Sequence, residues 1–343
     1  MYSSGRVSYR RLALSACLLS LFLISWLYLP ATRLTRQHLS SALATHKKNP
    51  FATSTTTPQQ DQEKTNARVE LVVSSVKAEN TSWITDNFPH YPAHIYVADD
   101  PYAPLTVKHN IGHESTVYLT YIIDNYHKLP DVVIFIHGRR YQWHNEDPLY
   151  DGVPVLQRFR IPYVLSHGFA TLRCSWLLGC PLEMRPNLEA AARWDDPGAD
   201  QRLKTEATYA KAYTQLFPGQ PIPEAVGVHC GAQFAVTRER ILNRTLEDYK
   251  SYRQWLWTTE LTDEFSGRVM EYSWHQILGQ PAVDCPNAGT CFCAKFGLCD
   301  LKCEEHGCKG RYFFNFGELP AKWPEEGTGE NGWPDRFWHL YDV

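Results

Sequence analysis

From Leu12 to Leu29 the chain runs eighteen positions without a charge, LALSACLLSLFLISWLYL, and then turns abruptly polar. At about 1.5 Å per helical residue, such a run just crosses a hydrocarbon core of about 30 Å. Trp26 and Tyr28 fall where interfacial aromatics sit. Arg6, Arg10 and Arg11 precede the run, so the pattern predicts a cytosolic tail (1–11), a signal-anchor helix (12–29) and a lumenal C-terminal part, the layout of a type II single-pass protein. Arg33 and Arg36 just beyond the run weaken that charge asymmetry. The alternative is a signal peptide cleaved near Ala42-Leu43-Ala44, which releases a secreted product, but the run exceeds the usual apolar region of about 7 to 15 residues.

Residues 30–67 are rich in Ser, Thr, Gln and Lys and nearly free of large apolar side chains, so they predict a disordered stem. Beyond them the period of the apolar positions changes. VELVVSS from Val69, HIYV from His94 to Val97 and VVIFI from Val132 to Ile136 read as short strands. The segment around Ser82 to Phe88 reads as helix. So does VYLTYIIDNY, where Tyr118, Tyr121, Ile122 and Tyr126 recur at helical spacing before Leu129-Pro130-Asp131 stops it. Apolar strands alternating with helices predict an α/β domain over 68–284, with a mostly parallel, Rossmann-like sheet covered by helices on both faces. A Cys-rich extension over 285–343 is expected to pack on it.

Composition narrows the partners. A net charge of -3, with no Lys/Arg stripe, leaves no electrostatic footprint for nucleic acid. Of ten cysteines, six fall between Cys285 and Cys308, at Cys285, Cys291, Cys293, Cys299, Cys303 and Cys308. A lumenal compartment favours disulfides, and the paired Cys-x-x-Cys knuckles of a zinc site are missing. Cys174 and Cys180 are close enough in sequence for a local bridge, which leaves Cys230 as the odd thiol. Asn80-Thr81-Ser82 and Asn243-Arg244-Thr245 are glycosylation acceptors in that compartment.

In open parallel sheets ligands bind off the carboxyl ends of the strands. That rule selects Ser74-Ser75, Asp99-Asp100 and His137-Gly138-Arg139-Arg140. Asp99 and Asp100 suit a base or ribose, although Asp-Asp-Pro is also ordinary turn chemistry. Asn110 and Gly112, ahead of a helix, suit a diphosphate at the helix N-terminus, and a plain helix start explains them equally well. His137 and His144, with Asp147 close behind, form the densest polar constellation in the chain and suggest a site for a divalent cation, Mn or Mg. Their spacing matches no established metal motif. Asp263 and Glu271 are candidate bases, and Glu271 stands four residues before His275, on one helical face.

The order VELVVSS, HIYVADD, HNIGHES, VVIFIHG resembles the nucleotide-sugar half of GT-A type glycosyltransferases. GVHCGAQFAVTRERIL and DEFSGRVMEYSWHQIL resemble the acceptor-side segments of such enzymes. As a whole the chain is similar to a fungal family of single-pass proteins catalogued as domain of unknown function 3431. The matching pieces are the N-terminal span, NxGxE, LPDVVIFIHGRRYQWHNED, GAQFAVTRERIL, EYSWHQIL and the Cys-rich tail. The resemblance implies a Golgi glycosyltransferase with a nucleotide-sugar donor and a glycan or glycoconjugate acceptor. It departs from the GT-A pattern at one point: the third strand ends Ile136-His137-Gly138, where a metal-binding Asp-x-Asp would stand. Arg139 and Arg140 can hold phosphate without a metal, because the guanidinium fork matches it bidentately.

Two alternatives stay open. One is a non-catalytic carbohydrate-binding or scaffold domain that kept the sheet. The other is an α/β-hydrolase, suggested by VVIFIHG, whose nearest nucleophile-elbow candidate is Ser166 in VLSHG, without the first glycine of that motif.

Overall fold

The computed structural model describes residues 66–186 and 200–311, with Leu319 and Trp323. Along the chain run β1 (Val69–Ser75), α1 (Ser82–Asn87), β2 (Ala93–Val97), α2 (Glu114–Asn125), β3 (Val132–His137), α3 (Gly152–Arg158), α4 (Ile161–His167) and β4 (Phe169–Thr171). There follow α5 (Gln201–Leu216), β5 (Gly227–Val228), β6 (Phe234–Thr237), α6 (Arg238–Leu242), α7 (Leu246–Thr258), α8 (Asp263–Glu271), α9 (Trp274–Ile277), β7 (Val283–Asp284) and α10 (Ala288–Phe296).

The central sheet has the order β2-β1-β3-β6-β4. The first three neighbours are parallel, with Val73 opposite Ile95 on one side and Ile136 on the other. β6 runs antiparallel between β3 and β4, so four of the five strands share a direction. The expected α/β class and mostly parallel sheet hold; the antiparallel β6 was not legible because FAVT, covered on both faces, carries no period that tells direction.

Side chains alternate across the sheet as the period-2 pleat requires. Val72, Val133 and Phe135 face one core with Tyr118, Tyr121, Phe234 and Trp274. Leu71, Val73, Ile134 and Ile136 face the other, with Trp83, Val155 and Phe292. Burying each such side chain is worth about 1.5–3 kcal/mol. Ring packing of Tyr118 on Phe135, with centroids 4.7 Å apart, adds to it.

The cysteine-rich segment contributes to the second core rather than merely lying on the surface. Cys291, Phe292 and Phe296 of α10 are buried there. Four disulfides form: Cys174–Cys291, Cys180–Cys285, Cys293–Cys299 and Cys303–Cys308. The expected local bridge between Cys174 and Cys180 is therefore corrected. Each reaches a partner more than a hundred residues away, because the 174–183 loop lies against the C-terminal segment: Trp176 donates to Pro286 O at 2.8 Å. Cys230 stays free and buried.

Among the described residues no helix is long and apolar enough to cross a membrane. The expected tail (1–11), the span (12–29) and the stem up to residue 65 lie outside the described residues.

Candidate functional site

A cleft of about 850 Å³ opens at the carboxyl ends of β1 and β3. Ser74 and Ser75 come from β1, His137 and Arg139 from β3 and its exit, Asn110, His113 and Glu114 from the start of α2, and Asp263, Arg268 and Glu271 from α8. Local sequence explains how these meet. Gly138 is required at the β3 exit because a Cβ there would stand 2.6 Å from Ser75 Cβ. Trp83 Nε1 donates to Gly138 O at 2.8 Å and fixes the turn. Asn145 Nδ2 then ties the following loop, donating to Arg140 O at 2.7 Å and Tyr150 O at 3.1 Å.

His144 of that loop touches His137 at the end of β3. His144 Nδ1 lies 3.1 Å from His137 Nδ1, which is also 3.0 Å from Gln142 Oε1. Gln142 donates through Nε2 to Arg139 O at 3.2 Å, so its Oε1 must accept. That assigns the proton of neutral His137 to Nδ1 and leaves Nε2 as a lone pair. Nε2 is buried and has no hydrogen-bond partner among the described residues. Burial holds His137 below the usual imidazole range and His144 well below it, so both rings are neutral at pH 7.

Carboxylates surround this pair. Glu114 Oε2 is 3.9 Å from His137 Nε2, beyond hydrogen-bonding distance. Burial, and then the charge of Glu271, push the Glu114 carboxyl up to about 8. Glu271 accepts through Oε1 from Gly231 N at 2.5 Å and from the Cys230 thiol at 2.8 Å, and its Oε2 is 3.4 Å from Arg268 Nη1. The Cys230 thiol stays protonated because burial pushes it well above its ordinary value. Arg268 also reaches Glu183 at 3.4 Å. Asp263 Oδ1 accepts from Gly112 N at 2.5 Å and more weakly from His113 N at 3.4 Å.

Several sequence candidates thus converge on the cleft: Asn110, Arg139, His137, His144, Asp263 and Glu271. Others go elsewhere. Arg140 pairs bidentately with Asp151, at 2.9 and 2.7 Å, and Asp151 caps α3 by accepting from Val153 N. Asp147 accepts from Leu149 N within its own turn. Asp99 accepts from Lys77 N at 2.7 Å, and Asp100 from Tyr102 N at 3.0 Å, so both hold turns at the strand tips and neither lines the cleft.

Gly112, with φ of +78°, lies against Leu256, which a Cβ would approach to 2.5 Å, and its N–H already serves Asp263. The Glu271–His275 step is broken, because α8 ends at Glu271 and His275 turns to Ala282 O at 3.0 Å. The expected cation set of His137, His144 and Asp147 is not brought together either. The two rings face each other, Asp147 serves its own turn, and no group of three His, Cys, Asp or Glu side chains among the described residues has the arrangement of a metal site. Ser166 lies exposed within α4, its hydroxyl donating to Tyr163 O at 2.9 Å, with no strand-to-helix elbow. Both glycosylation acceptors, Asn80 and Asn243, are exposed.

Sequence reading missed Arg268, Gln142 and the role of Glu114. Arg268 stood three residues before Glu271, a spacing that pairs side chains on a helix, and was the one readable signal. The orienting role of Gln142 depends on a contact that only the folded loop creates.

Comparison by family reaches most of this fold: residues 71–294 match the family described as Protein of unknown function (DUF3431). The chain belongs to that family. The match runs from β1 into α10, so the family's region takes in both histidines, the α8 acids and the cysteines of the Cys174–Cys291 and Cys180–Cys285 bridges. No curated protein and no solved structure matches the chain.

Proposed function

We propose that this member of the DUF3431 family is a glycosyltransferase that moves a sugar from a nucleotide-sugar donor to a hydroxyl of a glycan or glycoconjugate in the secretory pathway. The single observation that carries the reading is the convergence of the β1 and β3 tips, the start of α2 and the acids of α8 on one cleft, beside parallel neighbour β2. Arg139 is the more exposed of the two described cleft guanidiniums, paired among the described residues through Nε with Glu79 at 2.8 Å, and it supplies the charge for donor phosphate. Four disulfides and two exposed acceptor asparagines suit an oxidising lumen. A type II anchor in the Golgi membrane at residues 12–29 completes the proposal.

One observation favours the scaffold reading. Gly112 N, where donor phosphate was expected, is already held by Asp263. Thermal denaturation of the purified full-length chain with uridine, guanosine and cytidine diphosphates, each with and without Mn, separates the two. A bound nucleotide at a hundred times its Kd adds about 2.7 kcal/mol of stability. Melting unchanged by all three supports the scaffold instead.

A further inference from the structure

Among the described residues three histidines line the cleft, and they differ in what can reach them. His137 keeps only 14% of its side chain exposed, with Nε2 buried. The His144 ring is covered by Trp143, at 3.8 Å between centroids, and by His137, at 4.8 Å. His113 is 53% exposed, so an acceptor hydroxyl arriving from solvent meets this ring. It is also the residue whose backbone the fold distorts. At φ 51° and ψ -129° His113 occupies a region that residues with a side chain rarely adopt, and such outliers persist where the surroundings over-determine them, often at functional sites. Two α8 residues do so here. Asp263 Oδ1 accepts from Gly112 N at 2.5 Å and from His113 N at 3.4 Å, while its Oδ2 faces His113 Nδ1 at 3.6 Å. The ring lies over Gly267, where a Cβ would stand 2.2 Å from its Cδ2 and 3.3 Å from its Nε2, so α8 carries no side chain at that point. One carboxylate thus sets both the backbone and the ring of His113. A carboxylate on the Nδ1 side favours the tautomer with its proton there and leaves Nε2 as the lone pair. Nε2 makes no hydrogen bond among the described residues.

We propose, on the transferase reading above, that His113 is the base that deprotonates the acceptor hydroxyl, with Asp263 as its positioning residue. The hydroxyl proton passes to His113 Nε2, and the oxygen's electron pair forms the new bond to the anomeric carbon. The bond from that carbon to the donor phosphate oxygen breaks, its electron pair leaving on the nucleoside diphosphate. A single displacement of this kind inverts the anomeric centre. The imidazolium so formed faces the Asp263 carboxylate, and the 3.6 Å between Nδ1 and Oδ2 is a resting separation that closes to a hydrogen bond as the ring gains charge.

The test uses the full-length chain and the variants His113→Gly and Asp263→Asn. Glycine takes a positive φ without strain, so His113→Gly keeps the turn while removing the ring. Transfer is read as nucleoside diphosphate released from uridine diphosphate glucose or guanosine diphosphate mannose in the presence of methyl mannoside. His113→Gly is expected to keep the melting shift given by uridine or guanosine diphosphate while release falls at least about 100-fold. Imidazole added to the assay is expected to restore part of the loss, because the vacated place is open to solvent. Nuclear magnetic resonance of the histidine-labelled parent is expected to show neutral His113 protonated on Nδ1. In Asp263→Asn the amide can donate to Nδ1, so the proton moves to Nε2 and release falls, again with the nucleotide shift kept. A His113→Gly protein that turns over within a few-fold of the parent, a loss that imidazole leaves untouched, or a parent ring protonated on Nε2 overturns the assignment of the base alone. A parent chain that shows no nucleotide shift and releases no diphosphate overturns the transferase reading, and this proposal with it.

Discussion

Asp263, at the first position of α8, reaches across 151 residues of sequence to accept the Gly112 amide at the entry to α2. A carboxylate from one helix thereby occupies the positive end of another, where a free anion would also be favoured. His113, beside it, adopts a φ of 51°, unusual for a residue with a side chain, and its ring fills the space that keeps Gly267 a glycine.

Replacing Asp263 by Ala therefore removes a helix-dipole partner from α2 and leaves the Gly112 amide ahead of it without its carboxylate. The side chain is about half exposed, 51%, so the expected loss is about 1 kcal/mol, the usual net worth of such a hydrogen bond. Chemical denaturation measures it directly. A variant as stable as the parent, with His113 unmoved in its resonance, shows that the contact is incidental.

Glu114 predicts a pH dependence of opposite sign to the usual carboxylate. Its folded value, pushed up to about 8 by burial and then by Glu271, lies above the unfolded value of 4.5. Between those limits the native state holds a proton that the unfolded chain has released, so stability falls as pH rises from about 4.5 to 8. The slope from one such group is at most about 1.4 kcal/mol per pH unit. Glu114→Gln is expected to flatten the stability curve over this window and to be more stable than the parent at pH 8. Parallel curves for the two proteins would mean that Glu114 does not hold this proton.

The disulfides divide by the loops they close. Cys174–Cys291 and Cys180–Cys285 span 117 and 105 residues, while Cys293–Cys299 and Cys303–Cys308 span 6 and 5. In the chain-entropy estimate a loop near a hundred residues is worth about 4.7 kcal/mol, and a loop of five or six residues about 2 kcal/mol. Cys291→Ser paired with Cys174→Ser should lower the denaturation midpoint severely and loosen α10 from the core it shares with Phe159 and Leu156. The Cys303→Ser and Cys308→Ser pair should cost less than half as much, about 2 kcal/mol. Equal losses from the two double variants would show that loop closure is not what these bridges contribute.

The strands β1, β2 and β3 and the helix α2 were legible because each announces itself locally: unbroken apolar runs for buried strands, and tyrosines at helical spacing on one face of α2. The strand-end rule then pointed to His137 and Arg139 without any contact being known. Arg140 and Arg139 look alike in sequence, yet one caps a helix through Asp151 and the other faces the cleft, since a single turn at Gly138 sends their side chains apart.

What the sequence determined by itself is the α/β class, the strand edge at which a cleft opens, the disulfide chemistry and the odd thiol, all of which follow from local period, composition and spacing. Tertiary structure alone decided which cysteines pair, that β6 runs backwards, that Glu271 is held by Cys230 and Gly231, and that His137 and His144 meet ring to ring. Those depend on which distant segments meet, and meeting is a property of the packed core, where a hydrogen bond formed across 40 or 151 residues leaves no mark on the neighbours in sequence.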